Sequence, residues 1–145
     1  MSASGPVTLG KEERITSKIL IDELFNGNHS HSMVAFPIRL VYMEKAREEA
    51  CPPVQLLVSV PKRCFKRAVK RNRVKRQMRE AYRHHKHLLV DCLQQLNQTE
   101  ETGTEKVAVL GFIWLDAKLY DTVEVEQRMK SLLERVAEKL SKGRP

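Results

Sequence analysis

The chain lacks the features that mark secreted, membrane-spanning or disulfide-stabilised proteins. Its 145 residues contain no run of 18 apolar residues, so we expect no membrane-spanning helix. The first residues, "MSASGPVTLGKEER", lack the apolar stretch of a secretory signal. The three cysteines are scattered without a CxxC pair, which favours reduced thiols in a cytosolic protein. The length and the 41% hydrophobic content predict a single domain over residues 1–145, with residues 1–13 disordered.

Acidic residues are almost missing from one segment, and this absence is the most informative feature of the sequence. Residues 62–83 hold 11 lysines and arginines against one acid, Glu80, a local net charge of +10. The whole chain has 26 basic and 18 acidic residues, a net charge of +8, so the remainder has 15 basic and 17 acidic residues and a net charge of −2. Positive charge focused in this way favours a polyanion as the partner.

Outside the basic segment, the sequence predicts one helix followed by strands. "ITSKILIDELFNGN", residues 15–28, has helical apolar spacing and places Gly27 where a helix normally ends. "MVAFPIRLVYM", residues 33–43, is rich in strand formers, and Pro37 indicates an edge strand or an irregularity there. "VQLLVSV" at 54–60 and "KVAVLGFIWL" at 106–115 are typical of buried strands, and 97–105 is a polar loop.

Apolar residues spaced three and four positions apart predict two further helices. In the basic segment and beyond it, the shared face comprises Val74, Met78, Ala81, Tyr82, His85, Leu89, Cys92 and Leu96. A neighbouring face of the same helix carries Asn72, Arg76, Arg79 and Arg83, which can point to solvent. Asp121 and Glu124 have capping-box spacing at the start of the last helix. Its apolar face comprises Val125, Met129, Leu132, Val136 and Leu140.

The predicted order α-β-β-β-α-β-α indicates an α/β (α+β) two-layer sandwich, with three helices on a small mixed sheet of about four strands. We expect the passage through the basic helix to join parallel strands. The general rule for such crossovers would make it right-handed.

The segment "VSVPKRCFKRAVKRNRVKRQMREAYR", residues 58–83, resembles the protein component of bacterial ribonuclease P. The family pattern is a strand, a Lys-Lys/Arg pair, an Ala-Val step, R-N-R-x-K-R and R-E-A-[FY]-R. The matching residues here are Lys62, Arg63, Ala68, Val69, Arg71, Asn72, Arg73, Lys75, Arg76, Arg79, Glu80, Ala81, Tyr82 and Arg83. "LGKEERITSK" and "IDELFNG" are similar to the family's lead-in and first helix.

The resemblance implies a left-handed crossover, against the general rule, and a ribonucleoprotein enzyme. The complex would cut precursor tRNA to give the mature 5′ end, with catalysis by a large RNA subunit that holds Mg²⁺. The protein would bind ribonuclease P RNA through the basic helix and the loop before it. The residues predicted for this contact are Lys62, Arg63, Lys66, Arg67, Lys70, Arg71, Asn72, Arg73, Lys75, Arg76, Arg79 and Arg83.

The resemblance also implies a groove for the 5′ leader between the first helix and the sheet. By position, the residues predicted to line it are Ile21, Phe25, Phe36 and Arg39. Three of these, Ile21, Phe25 and Phe36, are equally compatible with a role in the core. The expected partners are ribonuclease P RNA and precursor tRNA in the cytoplasm, with no membrane and no obligate protein partner.

Side chains suited to catalysis by the protein itself are scarce. The paired acids at 12–13, 48–49 and 100–101 fall in polar segments, where we expect them to be solvated. His84 and His87 share a side of the predicted helix and could contribute to a metal site with His85 nearby, but a solvated or RNA-facing role is favoured. The sequence predicts no catalytic residue, no metal ligand and no protein-bound organic cofactor.

Three other functions fit parts of the sequence. A structural or ribosomal-type RNA-binding protein could share the fold and the basic helix. A leucine-zipper DNA-binding protein would need leucine heptads after the basic region, and only Leu89 and Leu96 fit. A protein-only nuclease would need a cluster of carboxylates.

Overall fold

The computed structural model describes residues 18–27, 30–46, 54–99 and 106–142. The predicted disorder of residues 1–13 and the three acid pairs lie outside these residues. The elements found, in chain order, are α1 (Lys18–Asn26), β1 (His31–Ala35), β2 (Ile38–Ala46), β3 (Val54–Ser59), α2 (Ala68–His85), α3 (His87–Thr99), β4 (Lys106–Trp114) and α4 (Thr122–Lys142).

The four strands form one mixed sheet in the order β1-β2-β4-β3. The β1–β2 and β2–β4 pairs are antiparallel, whereas β3 and β4 are parallel and are joined through α2 and α3. This confirms the predicted α+β sandwich and its parallel crossover. The left hand of that crossover, implied by the resemblance, stays a prediction.

Pro37 marks a hairpin. Ala35 pairs with Ile38, so the chain turns at Phe36 and Pro37, whose peptide bond is cis. The turn is tied to the end of β4, since the Leu115 amide donates to the Pro37 carbonyl at 2.8 Å.

The sheet separates two apolar clusters of unequal size. Alternation along the strands sends one set of side chains towards α2, α3 and α4, where the main core includes Leu40, Leu110, Phe112, Trp114, Tyr82, Met129 and Leu132. The other set faces α1, where Leu24 packs with Val41, Met43 and Val109. The basic helix and the first helix therefore lie on opposite faces of the sheet.

The prediction of one long helix after the basic segment was wrong. The helical chain is interrupted at Lys86, so the described part contains four helices, and α3 extends to Thr99 into the predicted loop at 97–105. The apolar spacing continues across the interruption, from Tyr82 to the buried Leu89, and no glycine or proline marks it. Periodicity alone could not reveal the break.

The predicted end of α1 and the predicted start and apolar face of α4 are confirmed. Gly27 directly follows α1, and its amide donates to the Glu23 carbonyl at 2.9 Å. Asp121 directly precedes α4, and its carbonyl accepts from the Val125 amide at 3.0 Å. The predicted apolar face of α4 is buried over its length.

Candidate nucleic-acid interface

A continuous run of cationic side chains covers the loop after β3 and the outer side of α2. We call this the basic surface, and it comprises the twelve residues predicted above for RNA contact. Eight of them are exposed: Lys62, Arg63, Lys66, Arg67, Lys70, Asn72, Arg73 and Arg76. Arg71, Lys75, Arg79 and Arg83 are half-buried. The inner side of the same helix buries Val74, Gln77, Met78, Ala81 and Tyr82, which anchors the cations to the core.

Arg71 fastens the loop to the helix. Its Nη1 donates to the carbonyl oxygens of Phe65 and Lys66, each at 2.8 Å. Because one guanidinium nitrogen satisfies two carbonyls of the preceding loop, the loop is held against the first turn of α2. Phe65 is itself buried, so the loop is fixed on its inner side as well.

The first turn of α2 is open to anions. Arg67 occupies the N-cap position with an extended backbone and makes no side-chain capping bond. No acid lies in the first turn, so the helix start carries its free N–H groups among exposed lysines and arginines. Such N–H groups and the helix dipole both favour phosphate.

Glu80, the one acid in residues 62–83, is paired within the helix. Its Oε2 accepts from Arg83 Nη2 at 2.6 Å. This hydrogen bond, reinforced by the charges of Arg83, His84 and Arg76, lowers the pKa of Glu80 below its usual value. Glu80 stays ionised and offsets one arginine near the end of α2, far along the helix from its open start.

The histidine cluster lies where α2 ends and contacts α4. Glu126 Oε1 is 3.2 Å from His84 Nδ1 and 3.3 Å from His85 Nε2. His87 belongs to α3, beyond the break at Lys86, so the predicted shared helix side of His84 and His87 stays a prediction. Within the described ranges, no group of three or more histidine, cysteine or acidic side chains could hold a metal ion.

The second candidate region lies where α1 crosses the opposite face of the sheet. Ile21 is half-buried against the small cluster, and the Phe25 side chain is 36% exposed at its edge. Arg39 is exposed on β2 and pairs in register with Ile113 of β4. Three of the four predicted groove residues therefore belong to one side of the sheet.

Phe36, the fourth predicted groove residue, lies in the β1–β2 turn and is 56% exposed. Its carbonyl accepts from Arg128 Nε of α4 at 3.0 Å, and α4 packs on the main-core side. Phe36 is therefore not a core residue, and it lies in the hairpin turn at one end of the sheet.

Gly111 allows α1 to lie close to the sheet, which sequence reasoning did not anticipate. A Cβ atom built at Gly111 would lie 2.9 Å from Phe25 Cζ and 3.0 Å from Leu24 Cδ2. Gly111 pairs with Val41 on one side and Leu57 on the other. A glycine inside a strand formed by apolar residues was the available signal, because it often marks a close approach of other atoms.

Across the residues that the structure describes, no helix is long and apolar enough to cross a membrane. Cys64 is buried and Cys92 half-buried, and neither of these two described cysteines is in a disulfide; Cys51 is outside the described ranges.

A mixed four-stranded sheet that displays a dense cationic helix defines a protein built to hold a polyanion. Comparison with known proteins narrows this class. Residues 9–109 match the family model described as Ribonuclease P. The ribonuclease P protein component of Porphyromonas gingivalis is 38% identical over 136 residues, covering 92% of this chain and 91% of that protein. The chain belongs to the ribonuclease P protein family.

Two more comparisons agree with this assignment. The ribonuclease P protein component of Chlorobaculum tepidum is 46% identical over 56 residues, covering 37% of this chain and 36% of that protein. The solved RNase P protein from Thermotoga maritima shares the fold, with a TM-score of 0.57 and 18% identity over 85% of this chain and 96% of that one. The resemblance found in the sequence is confirmed, and the ribosomal-type alternative is not favoured.

Proposed function

We propose that this chain is the protein subunit that lets ribonuclease P RNA remove the 5′ leader from precursor tRNA at low magnesium. The observation that carries the proposal is the basic surface, in a member of this family. Eight of its twelve side chains are exposed, and Glu80, the one acid in residues 62–83, is paired with Arg83 within the helix. The proposal places the chain in the cytoplasm, with the RNA subunit and precursor tRNA as partners.

The basic surface would serve as the contact with ribonuclease P RNA. Arginine and lysine side chains neutralise phosphates and release counterions, which gives affinity together with strong salt dependence. The loop from Lys62 to Arg67 and the start of α2 are held together by Arg71, so their cations and N–H groups face the RNA as one unit.

The face beside α1 would bind the 5′ leader. Phe25 offers a partly exposed ring on which an unpaired base can stack, and Arg39 offers a cation for the backbone. Half-buried Leu57, Ser59 and Ile113 continue this face next to α1. Mature tRNA has no leader, so this contact would favour substrate over product.

Chemistry at the phosphodiester would belong to the RNA subunit. Mg²⁺ ions held mainly by that RNA would supply the activated water and the charge neutralisation. The protein's own contribution would be electrostatic, because two polyanions must approach each other. No protein side chain is assigned a catalytic role.

Reconstitution tests the proposal. The purified protein is mixed with ribonuclease P RNA of P. gingivalis, whose protein component resembles this chain, and with a 5′-labelled precursor tRNA at low magnesium. We expect cleavage at the mature 5′ end only when both components are present. Cleavage by the protein alone, or equal cleavage by the RNA without it, would contradict the proposal. A structural RNA-binding protein would bind RNA without changing the rate.

A further inference from the structure

The most exposed large hydrophobic side chain of the described residues lies in the middle of the basic surface. Val69 is 78% exposed, against 66% for Val123 and 56% for Phe36. It is the second residue of α2 and makes no contribution to either apolar cluster. A single exposed valine needs no explanation by itself, so its surroundings decide what it means.

Those surroundings are polar and mostly cationic. Residues three and four positions apart share a helix side, which places Val69 beside Asn72 and Arg73. Lys66, Arg67 and Lys70 precede and follow it closely, and all five side chains are exposed. When these cations grip phosphates, an isopropyl group between them is brought against the sugars and bases that the phosphates connect.

Local helix stability does not account for the valine. Valine loses side-chain freedom in a helix and is a weaker helix former than alanine, lysine or arginine. An exposed position in this segment would gain both charge and helix stability from lysine. An exposed position in the middle of the basic surface is therefore occupied by an apolar side chain that cannot bind phosphate.

We propose that Val69 is an apolar contact for an unpaired nucleotide of ribonuclease P RNA, burying its isopropyl group against a base face or a ribose. The inference rests on the proposed function. Unpaired nucleotides are the RNA sites whose base faces are free to be contacted in this way. The RNA subunit is favoured over the leader as the source, because α2 and α1 lie on opposite faces of the sheet.

The test measures binding of the full-length protein to ribonuclease P RNA of P. gingivalis over a series of salt concentrations. The variants are Val69→Ala, which removes two methyl groups, and Val69→Thr, which keeps the shape and replaces one methyl group with a hydroxyl. We expect affinity about three- to tenfold weaker at every salt concentration, with the salt slope unchanged, since apolar area is lost but no charge. Val69→Ile should bind as well as the wild type.

Val123 supplies the matched control. It is the second residue of α4, is similarly exposed, and belongs to a different helix from the basic surface. Val123→Ala and Val123→Thr should bind within twofold of the wild type. Arg73→Ala should instead lower the salt slope by about one, as expected for a phosphate contact. The melting temperatures of all four valine-to-alanine and valine-to-threonine variants should match the wild type.

Two results would overturn the inference: Val69 variants that bind within twofold of the wild type, or losses as large in the Val123 variants. Failure of the wild-type protein to bind the RNA would instead refute the proposed function. The two failures are therefore distinguishable in one experiment.

Discussion

Arg71 shows that an arginine in a cationic motif can act on its own chain. Two loop carbonyls accept hydrogen bonds from its Nη1, so this nitrogen of the guanidinium is already engaged within the protein before any RNA binds. Its neighbours Asn72 and Arg73 are exposed. Within the R-N-R motif, the first arginine therefore organises the surface and the next two residues present it.

Replacing Arg71 should loosen the loop that it holds. Arg71→Ala removes two charge-assisted hydrogen bonds, and we expect a loss of about 1 to 3 kcal/mol in the free energy of unfolding. Amide hydrogen exchange at residues 64–67 should accelerate, while exchange in the middle of α2 should not. Arg71→Lys can still donate to one carbonyl, so its free energy of unfolding and its exchange rates should lie between those of the wild type and Arg71→Ala.

The matched comparison for Arg71 is Arg73→Ala, which removes an exposed cation of the same motif. It should leave both the loop exchange and the free energy of unfolding near the wild-type values. Equal exchange rates in the Arg71→Ala and Arg73→Ala proteins would show that the loop does not depend on the Arg71 hydrogen bonds.

At the scale of elements, the contact between α1 and β4 depends on an absent side chain. Leu24 is fully buried and cannot move aside, whereas the partly exposed Phe25 ring can swing outwards. The missing Cβ at Gly111 is what allows both side chains to reach the sheet. Gly111 thus sets how closely α1 lies against the sheet, beside the face proposed to bind the leader.

Gly111→Ala should therefore displace α1. We expect a loss of about 1 to 3 kcal/mol in the free energy of unfolding, because overpacking forces neighbours out of position. In reconstituted enzyme, the preference for precursor over mature tRNA should fall, while affinity for the RNA subunit stays unchanged. Chemical denaturation and competition binding measure the two effects.

A double variant checks the cause. Phe25→Ala removes the ring nearest to the new methyl group, so Gly111→Ala should cost less in the Phe25→Ala background than in the wild type. Additive losses would mean that the clash with Phe25 does not account for the effect.

For the whole molecule, the sheet keeps two proposed contacts apart. The basic surface lies on α2 and the loop before it, packed over the main core, while α1 and the small cluster cover the opposite face. One protein can then touch the RNA subunit and the leader at once.

Substitutions that weaken one of the two contacts should leave the other unchanged. The double variant Arg73→Ala with Arg76→Ala should lower the salt slope for binding ribonuclease P RNA by about two. Its preference for precursor over mature tRNA, measured at saturating protein, should stay at the wild-type value. A changed preference with an unchanged slope would reverse the assignment of the two surfaces.

Much of this architecture follows from local patterns. The +10 segment, the apolar face of α2 and the strand formers at 54–60 and 106–115 are visible in the sequence, and the structure places each as predicted. Local patterns fail where a partner is distant. The interruption at Lys86 leaves no mark in the spacing, and the exposure of Phe36 in the hairpin turn does not follow from its sequence neighbours.

The sequence by itself determined where the positive charge lies, which faces are apolar and which family the chain resembles, because composition and periodicity are carried by neighbouring residues. Tertiary structure alone decided the strand order β1-β2-β4-β3 and the approach of α1 at Gly111. It also decided that Arg128 and Arg135 of α4 donate to carbonyls of Phe36 and Val34. Each of these joins residues far apart in the chain, and only the packing of the whole fold brings them together.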